Sequence, residues 1–447
     1  MTKYSILNQV HVDVQITNNP YAFEESQLFE MAMRINKKRS FLFISNVLGK
    51  HIALPPQIPL LLGQLLAMRY MDIVHHKADV RAQAVAETIK TRDNLHDSLL
   101  ALEQQPVIAP EPMKVIGFAE TATALGHAFF NAFTGDVEYV HTTREHVINL
   151  TPLTTFEEEH SHATTHNVYM QNSAFFDGDA QIALVDDELT TGQTNLNIIA
   201  QIIARFPHKK RFVIVSILDW RSDEHRKAYR DFEAAHGIMI EEVNVLEGRI
   251  TVRGEAPEER VTHFPEKLLT PTITTETIHL GDAYYMNEPS KQDDDTICYT
   301  PYFIGSGRFG LSKDVDRSIR TKLASEQRTF EQLRRGNKTL VLGTGEFMYI
   351  PMRIATLLGD GVSYHSTTRS PIYAHRDSYI YNQYTFESPE HAGVQNYVYN
   401  IPMNHYDDAF IILERVTSER ALQQLIDALS AAHIPHITII QLADGRE

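Results

Sequence analysis

Two adjacent aspartates, Asp186 and Asp187, lie between an apolar run and a turn rich in threonine. Residues 182–185 predict a strand, and residues 195–205 predict a helix that follows the turn. At the strand end, the two carboxylates can accept hydrogen bonds from vicinal hydroxyl groups of a ribose. The turn consists of Thr190, Thr191, Gly192, Gln193 and Thr194. Its N–H groups and hydroxyls, with the positive end of the helix dipole, can bind a 5′-phosphate. The segment therefore predicts a site for a phosphorylated sugar.

The order of these residues resembles the loop of type I phosphoribosyltransferases that binds 5-phosphoribosyl 1-diphosphate (PRPP). Two apolar residues, two acidic residues and two variable residues precede Thr-Thr-Gly-x-Thr. In most such loops an apolar residue follows the acidic pair, whereas this chain has Glu188. The alternative interpretation is an ordinary strand, turn and helix with an aspartate-rich turn. The resemblance implies that Asp186 and Asp187 hold the ribose and contact Mg²⁺.

Two further segments are candidates for binding pyrophosphate. Glu120 and Thr121 follow the apolar run 115–117, at the place where the resembling enzymes carry a pyrophosphate loop. The double glycine of many such loops is missing here, and a plain turn is the alternative. Arg144 ends the next strand, where a guanidinium could bind pyrophosphate oxygens in a bidentate manner. A surface arginine is the alternative for Arg144.

Residues 145–167 form a polar segment where this fold usually carries a mobile loop over the reaction. Such a lid excludes water from a reactive ribosyl centre. Glu159 or His160 could act as general acid or base on the incoming nucleophile. Metal binding by the histidines of this segment, or a solvated loop, are the alternatives.

The segment Asp219-Trp220-Arg221 follows another apolar run and is similar to a segment of hypoxanthine-guanine phosphoribosyltransferases. That similarity implies that Asp219 binds Mg²⁺ or its water and that Arg221 binds pyrophosphate. Trp220 could stack on a planar acceptor, or could pack in the core. Lys50 lies in the N-terminal region that forms an acceptor-binding hood in this fold, where it could reach an acceptor or phosphate, or lie exposed.

Composition limits the class of protein. The 447 residues suggest two or three domains, and 43% of them are hydrophobic, which suffices for real cores. A formal charge of −16 argues against a nucleic-acid-binding surface, and no apolar run is long enough to span a membrane. With one cysteine and no apolar signal segment at the start, we expect a cytoplasmic protein.

Apolar runs alternate with helix-length segments over most of the chain, which predicts an α/β fold with a parallel sheet. Near the N-terminus, residues 11–17 and 40–45 predict strands and residues 23–36 a helix. The predicted domains are residues 1–250, a phosphoribosyltransferase domain with its hood, residues 251–297, a connector, and residues 298–447, a second α/β domain.

The two α/β blocks contain similar segments in the same order. Residues 115–120 match 341–346, residues 139–144 match 364–369, and two later pairs follow at nearly the same offset. A constant offset predicts an internal duplication. The second copy keeps one acid, Glu414, and lacks the glycine of the loop, so we expect a degenerate phosphoribosyltransferase-like domain.

Beyond the general fold, residues 41–51, 156–162 and the sequence Thr368-Arg369-Ser370-Pro371 resemble one family. It is the phosphoribosyltransferase with a C-terminal TRSP domain found in tellurite-resistance-associated gene clusters. The resemblance implies a cytoplasmic bacterial enzyme that makes a nucleoside-like, stress-associated metabolite. It also implies a homodimer or a complex with other enzymes of the cluster.

The sequence therefore predicts a Mg²⁺-dependent phosphoribosyltransferase that uses PRPP and an unidentified acceptor and releases pyrophosphate, or runs in reverse. A PRPP-sensing regulator or a scaffold without turnover is the alternative. The second block is expected to pack on the first as a catalytic dimer partner would. Its candidate site residues are Arg308, Glu346, Thr368, Arg369 and Ser370.

Overall fold

The computed structural model describes residues 1–35, 39–157, 165–255 and 270–443 of the protein. The strands of the first half are β1 (Thr2–Ile6), β2 (Val10–Asn18), β3 (Phe29–Met33), β4 (Phe41–Ser45), β5 (Val107–Ile108), β6 (Met113–Gly117), β7 (Phe133–Thr134), β8 (Val137–His141), β9 (His146–Val147), β10 (Thr154–Glu157), β11 (Thr165–Val168), β12 (Gln181–Val185), β13 (Glu188–Leu189), β14 (Arg211–Asp219) and β15 (Met239–Arg253). Its helices are α1 (Glu25–Leu28), α2 (Gln57–His75), α3 (Ala82–Thr91), α4 (Leu95–Gln104), α5 (Thr123–Asn131), α6 (Gln193–Arg205) and α7 (Asp223–His236).

The second half is built from shorter elements and a second sheet. Its strands are β16 (Thr272–Thr277), β17 (Tyr285–Met286), β18 (Ser290–Lys291), β19 (Ile297–Cys298), β20 (Tyr302–Phe303), β21 (Leu311–Ser312), β22 (Thr339–Gly343), β23 (Val362–Ser366), β24 (Gln383–Glu387), β25 (Gln395–Tyr399), β26 (Asp408–Leu413) and β27 (His436–Gln441). Its helices are α8 (Lys313–Ser325), α9 (Gln327–Leu333), α10 (Tyr349–Leu357) and α11 (Glu419–Ala431). Within the part of the chain that the structure describes, no helix is both long and apolar enough to cross a membrane.

The first sheet has nine strands in the order β1-β2-β15-β14-β12-β6-β8-β21, with β13 beside β14. Its centre, from β15 to β8, is parallel, whereas β2 and β21 add antiparallel edges. Every residue of β6 and β12 is buried, which explains why these strands are apolar apart from Lys114 and Gln181. The predicted α/β fold with a largely parallel sheet is confirmed.

The second sheet has the order β16-β27-β26-β22-β23 and is parallel throughout. The strands β22, β23, β26 and β27 take the same positions, in the same chain order, as β6, β8, β12 and β14. Each block also inserts an antiparallel hairpin between its second and third core strands, β10–β11 in one and β24–β25 in the other. This common order supports the predicted duplication.

The fifth position of the two sheets differs in its origin. In the first sheet β15 follows β14 along the chain, whereas in the second sheet β16 precedes the whole block. Residues 272–277, which lie inside the predicted connector, therefore form the edge of the second sheet. The bounds 1–250, 251–297 and 298–447 stay a prediction.

The helix predicted for residues 23–36 is wrong over most of its described length. Only Glu25–Leu28 is helical, and the chain then forms β3, which pairs with β4 in an antiparallel hairpin. The pairing buries Phe29, Met31 and Met33, and this tertiary contact overrides the helical spacing of the apolar residues. This hairpin is called the hood hairpin below.

Two short segments, here called the exchanged arms, cross between the blocks. The first arm, 49–54, bridges Leu54 to Tyr364 on the edge strand of the second sheet. The second arm, 307–312, pairs Leu311 with Tyr139 on the edge strand of the first sheet. Tyr139 and Tyr364 occupy matching positions of the two copies, so each block completes the sheet edge of the other.

Each arm begins at a glycine with positive φ, Gly49 at 76° and Gly307 at 88°. A Cβ at Gly49 would come within 2.6 Å of the Tyr364 ring, and a Cβ at Gly307 would overlap the Tyr139 ring. Lys50 and Arg308 follow these glycines directly. The duplication therefore extends to the arms, where the offset changes because α3 and α4 are inserted in the first block only.

Alanine at Gly307 should destabilise the protein more than alanine at Gly178. Gly178 also has positive φ, at 68°, but a Cβ there would meet no heavy atom within 4 Å. Gly178→Ala should therefore cost about 1–2 kcal/mol, the backbone penalty alone. Gly307→Ala should cost about 1–3 kcal/mol more, because the arm must move away from Tyr139. The midpoints of thermal unfolding measure this difference, and equal midpoints would contradict the close packing of the arm.

Candidate active site

A cavity of about 470 Å³ opens at the carboxyl ends of the parallel strands of the first sheet. Both blocks line it, because the second block contributes a segment that begins at Arg369. The predicted site residues that line the cavity are Lys50, Glu120, Thr121, Arg144, Asp186, Asp187, Thr190, Thr191, Gly192, Thr194, Arg369 and Ser370. Most of the residues selected from sequence thus meet at one place.

Residues 186–194, here called the PRPP-type loop, are fixed by hydrogen bonds at the end of β12 and at the start of α6. Beyond β12, the Asp186 N–H donates to the carbonyl oxygen of Val215 at 3.0 Å, and the Asp187 N–H donates to Asp186 Oδ1 at 2.9 Å. Gly192 has a φ of 73°, and its carbonyl accepts a 2.7 Å hydrogen bond from the Tyr229 hydroxyl. A Cβ there would overlap Tyr229, so only glycine fits. The helix α6 begins at the next residue.

Gln193 is the one residue of the predicted loop that does not line the cavity. Its side chain is exposed and donates to Asn197 Oδ1 at 2.8 Å. Its backbone N–H donates to Thr191 Oγ1 at 3.2 Å. The side chain of Gln193 thus lies along the exposed surface of α6, hydrogen-bonded to Asn197, and does not line the cavity.

The predicted pyrophosphate loop lies between β6 and α5 beside the loop just described. The Ala119 N–H donates to Thr142 Oγ1 at 2.8 Å, and the Ala119–Glu120 peptide bond is cis. Lys50 Nζ, from the first exchanged arm, hydrogen-bonds Thr121 Oγ1. Glu120 is buried, and its carboxylate lies 4.0 Å from Arg369 Nε of the second block. One carboxylate and two cations of separate segments therefore meet here.

Arg144 reaches the cavity from a backbone that the second block holds in place. The Arg144 N–H donates to Glu346 Oε1 at 2.8 Å, and Thr143 Oγ1 donates to Glu346 Oε2 at 2.6 Å. Glu346 matches Glu120 in the duplication, and Arg144 matches Arg369. The Glu120–Arg369 and Glu346–Arg144 contacts are therefore reciprocal, as at a two-fold interface between identical subunits.

The five residues predicted as a second-domain site do not form one site. Arg369 and Ser370 line the cavity, and Thr368 lies buried beside them, where its Oγ1 accepts a 3.1 Å hydrogen bond from the Ser370 N–H. Arg308 and Glu346 instead belong to a buried cluster between the blocks. The reason is that the second exchanged arm carries Arg308 to the position that matches Lys50.

Arg308 occupies the position in the second block that matches Lys50, which lines the cavity in the first. Its Nη1 lies 2.6 Å from Glu414 Oε2, and its Nη2 lies 3.4 Å from Glu346 Oε2. Glu414 matches Asp187, so in the second block the acid at this position is paired with an arginine of the same chain. Glu390 also lies in this cluster, where burial and the charge of Glu414 raise its pKa to about 8. The place in the second block that matches the cavity is therefore filled by ion pairs between side chains of this chain.

The roles predicted for Asp219, Trp220 and Arg221 conflict with where these side chains lie. Asp219 is fully buried and pairs with Arg221 at 2.7 Å and with Arg226 at 3.0 Å. The cause is β13, which pairs with the end of β14 and covers it with the start of the PRPP-type loop. None of the three lines the cavity, so a metal, acceptor or pyrophosphate contact by them finds no support.

Trp220 and Arg221 instead support the site from below. The Trp220 ring stacks on Phe43 of the hood hairpin, with centroids 4.9 Å apart and planes 13° apart. Arg221 lies under the loop, where a Cβ at Gly192 would come within 2.9 Å of its Cδ. Trp220 thus joins the hood hairpin to the first sheet, and Arg221 fixes the floor of the loop.

The two lid residues, Glu159 and His160, lie outside the described residues. Of the same segment, His166 lies on β11 and lines the cavity. Its Nδ1 is 2.9 Å from Thr142 Oγ1, and its ring stacks on Phe156 with centroids 4.9 Å apart. His166, the histidine of this segment that lies on a described strand, is therefore part of the cavity wall.

Several cavity residues were missed by sequence reasoning. Arg39 pairs with Glu188, which explains why an acid stands where most such loops have an apolar residue. Asp293 lines the cavity and pairs with His391 at 2.9 Å, 98 residues away in the chain. The departure at Glu188 was a usable signal for a basic partner. The acidic run 293–295 gave no hint of its position.

Asp186 and Asp187 are the carboxylates of the loop that could hold Mg²⁺. The described residues contain no group of three or more histidine, cysteine, aspartate or glutamate side chains placed to bind a metal ion. Mg²⁺ at phosphate sites is commonly held by one or two carboxylates together with substrate phosphates and water. A pair of aspartates facing a cavity fits that mode, in which the substrate supplies the remaining oxygen ligands.

Two protein-family models match the chain. Residues 28–249 match a family described as phosphoribosyl transferase. Residues 305–429 match the TRSP domain, which is described as C-terminal to that transferase family. Together the two matches cover well over half of the chain. No curated protein matches it.

Solved structures of phosphoribosyltransferases match parts of the chain at low identity. Adenine phosphoribosyltransferase from Trypanosoma brucei is 12% identical, with a TM-score of 0.23, over 34% of this chain and 66% of that chain, less than two thirds of its length. Adenine phosphoribosyltransferase from Leishmania tarentolae is 19% identical, with a TM-score of 0.21, and the match covers 37% of this chain and 75% of that chain. Orotate phosphoribosyltransferase from Mycobacterium tuberculosis H37Rv, solved with PRPP, is 15% identical, with a TM-score of 0.18, over 44% and 93%.

His391 should make the stability of the protein depend on pH. Burial alone would lower its pKa, but Asp293 and Glu145, whose carboxylate lies 3.8 Å from Nδ1, raise it to about 9. A raised histidine pKa stabilises the folded state below the unfolded value of about 6.5. That contribution is lost as pH rises through about 9.

The measurement compares thermal unfolding midpoints of wild type and His391→Gln across this range. Near pH 6.5 we expect the wild type to unfold at a temperature higher than that of His391→Gln, by on the order of 2–5 °C. This difference should disappear by about pH 10. A gap that stays constant or widens with pH would show that His391 is not charged between its two acids.

Proposed function

This chain belongs to the family of phosphoribosyltransferases that carry a C-terminal TRSP domain, and we propose that it transfers the phosphoribosyl group of PRPP. The bond between ribose C1 and the pyrophosphate oxygen breaks, and pyrophosphate leaves with the bonding electrons. The acceptor forms the new bond to C1 and gives up its proton to a base. The observation that carries this proposal is the position of the adjacent carboxylates of Asp186 and Asp187. They line a cavity to which both blocks contribute.

The residues of the cavity divide naturally among the parts of PRPP. The carboxylates of Asp186 and Asp187 accept hydrogen bonds from the ribose hydroxyls. Residues 190–194 and the start of α6 bind the 5′-phosphate, because the loop leads directly into the positive end of the helix dipole. Arg144 and Thr121 bind pyrophosphate, and Lys50 supports Thr121 by hydrogen bonding. Glu159 and His160 stay predictions for the acid–base step.

Mg²⁺ would be held by Asp186 and Asp187 together with pyrophosphate and ribose oxygens. Bound there, it would neutralise charge that develops on the leaving pyrophosphate. Asp219 has no part in this scheme, because its two arginine partners occupy it. That the product is a nucleoside-like metabolite, made in the cytoplasm with other enzymes of a gene cluster, is part of the same proposal.

Arg369 gives the TRSP domain a direct share in the reaction. Its guanidinium lines the cavity 4.0 Å from Glu120, next to the proposed pyrophosphate loop. A cation from a second block can neutralise a leaving group, as a neighbouring subunit does in a dimeric enzyme. One polypeptide therefore holds one working site, built by both blocks.

Asparagine at Asp186 and Asp187 tests the proposal. The double variant keeps the size of the side chains but removes the negative charges that hold ribose hydroxyls and Mg²⁺. We expect pyrophosphate release from PRPP, in the presence of Mg²⁺ and cell extract as the source of acceptor, to fall by about 100-fold or more. PRPP affinity, measured by calorimetry, should fall with it. Wild-type protein that binds PRPP tightly but releases no pyrophosphate with any extract would instead favour a PRPP sensor or scaffold.

Arg369→Ala tests the share of the second block. We expect pyrophosphate release to fall by about 10- to 100-fold, because a charge-assisted contact to the leaving group is lost. Arg376→Ala is the matched control, since Arg376 lies seven residues further on and its side chain is 89% exposed. Unchanged rates in both variants would limit the second block to a structural role.

A further inference from the structure

One wall of the cavity is formed by the hood hairpin and the residues that follow it. This hood wall consists of Arg34, Arg39, Leu42 and His51. It is distinct from the loops assigned above to ribose, 5′-phosphate and pyrophosphate. Its two guanidinium groups belong to Arg34 and Arg39, and Arg39 forms an ion pair with Glu188 of the loop.

Arg39 has unused hydrogen-bonding capacity beside the cavity. Its Nη1 pairs with Glu188, and its guanidinium lies 4.6 Å from the centroid of the Phe41 ring. Its Nε and Nη2 are buried, and neither has a hydrogen-bond partner among the described residues. Two adjacent N–H donors on one planar group match the two oxygens of a carboxylate. A buried cation with unmet donors is costly unless a ligand satisfies them.

His51 is the second group of the wall with unused capacity. Its side chain is 5% exposed, and both ring nitrogens are buried without a hydrogen-bond partner in the described part of the chain. Burial, with the nearby charges of Lys50 and Arg34, holds its pKa well below the usual range. The ring is therefore neutral at pH 7 and offers one N–H donor and one lone pair.

We propose that the hood wall binds the acceptor and that the acceptor is an organic acid, whose carboxylate pairs with Arg39 while its nitrogen-bearing part hydrogen-bonds His51. This inference rests on the proposed function, since it names the chemical class of the second substrate. The carboxylate satisfies the two N–H donors of Arg39 that have no partner among the described residues. The attacking nitrogen is then held on the side of the cavity that the PRPP-binding loops leave open.

Matched pairs of small molecules test this inference by binding alone. The probes are nicotinate against nicotinamide and orotate against uracil, which differ in whether they carry a carboxylate. Ligand-observed NMR titrations measure their affinities for the full-length protein loaded with PRPP and Mg²⁺. We expect each acid to bind about 10-fold or more tightly than its neutral partner, the gain typical of a charge-assisted bidentate contact.

Arg39→Lys keeps a cation beside Glu188 but removes the planar pair of donors. We expect this variant to lose most of the preference for acids while PRPP affinity stays within about 3-fold of wild type. Arg253→Lys is the control, because Arg253 at the end of β15 is exposed, pairs with Asp13 and does not line the cavity. It should keep the full preference.

The inference would be overturned by equal affinities within each pair, by a preference that survives in Arg39→Lys, or by no binding of either acid up to about 10 mM. A fall in PRPP affinity equal to the loss of acid binding would also do so, because Arg39 would then serve PRPP. Pyrophosphate release is measured separately. Its absence, with the acid preference intact, would count against turnover and leave the acid-binding wall standing.

Discussion

Arg308 is buried between the two blocks, and the shape of the cavity depends on its ion pairs. The guanidinium holds Glu346, and Glu346 in turn accepts hydrogen bonds from Thr143 and from the backbone of Arg144. Arg144 is thereby fixed at the cavity by a residue 202 positions away. Loss of one partner would leave an uncompensated buried charge, which costs several kcal/mol, about 3–5. The interface between the blocks is therefore part of the construction of the site.

The two copies use matching positions for opposite purposes. After Gly49, Lys50 supports Thr121 at an open cavity, whereas after Gly307, Arg308 closes the equivalent place with Glu414. A lysine presents one flexible ammonium, while an arginine can satisfy several acids at once. The second block, in which Arg308 fills this place, contributes Arg369 to the cavity of the first block. Duplication followed by loss of one site would leave this asymmetry.

Glu188 connects the loop to the hood hairpin. Its pairing with Arg39 ties the PRPP-type loop to the wall that we assign to the acceptor. Burial raises the pKa of Glu188, and the charge of Arg39 opposes that shift. Trp220 makes a second connection, since it stacks on Phe43 of the same hairpin. The loop and the hood wall are therefore positioned by shared contacts, so the two substrates would meet in a fixed geometry.

The sequence by itself determined the core strands, the PRPP-type loop, the duplication and most of the residues that meet in the cavity. The strands and the loop are local features, because a buried strand needs an apolar run and the loop motif needs its residues in one order. The duplication is visible because such local segments recur in the same order. Tertiary structure alone decided the β3 strand, the exchanged arms, the burial of Asp219 and Trp220, and the division of Arg308 from Arg369. Each of these depends on a contact with another element or segment, and the local spacing of residue types does not specify that contact.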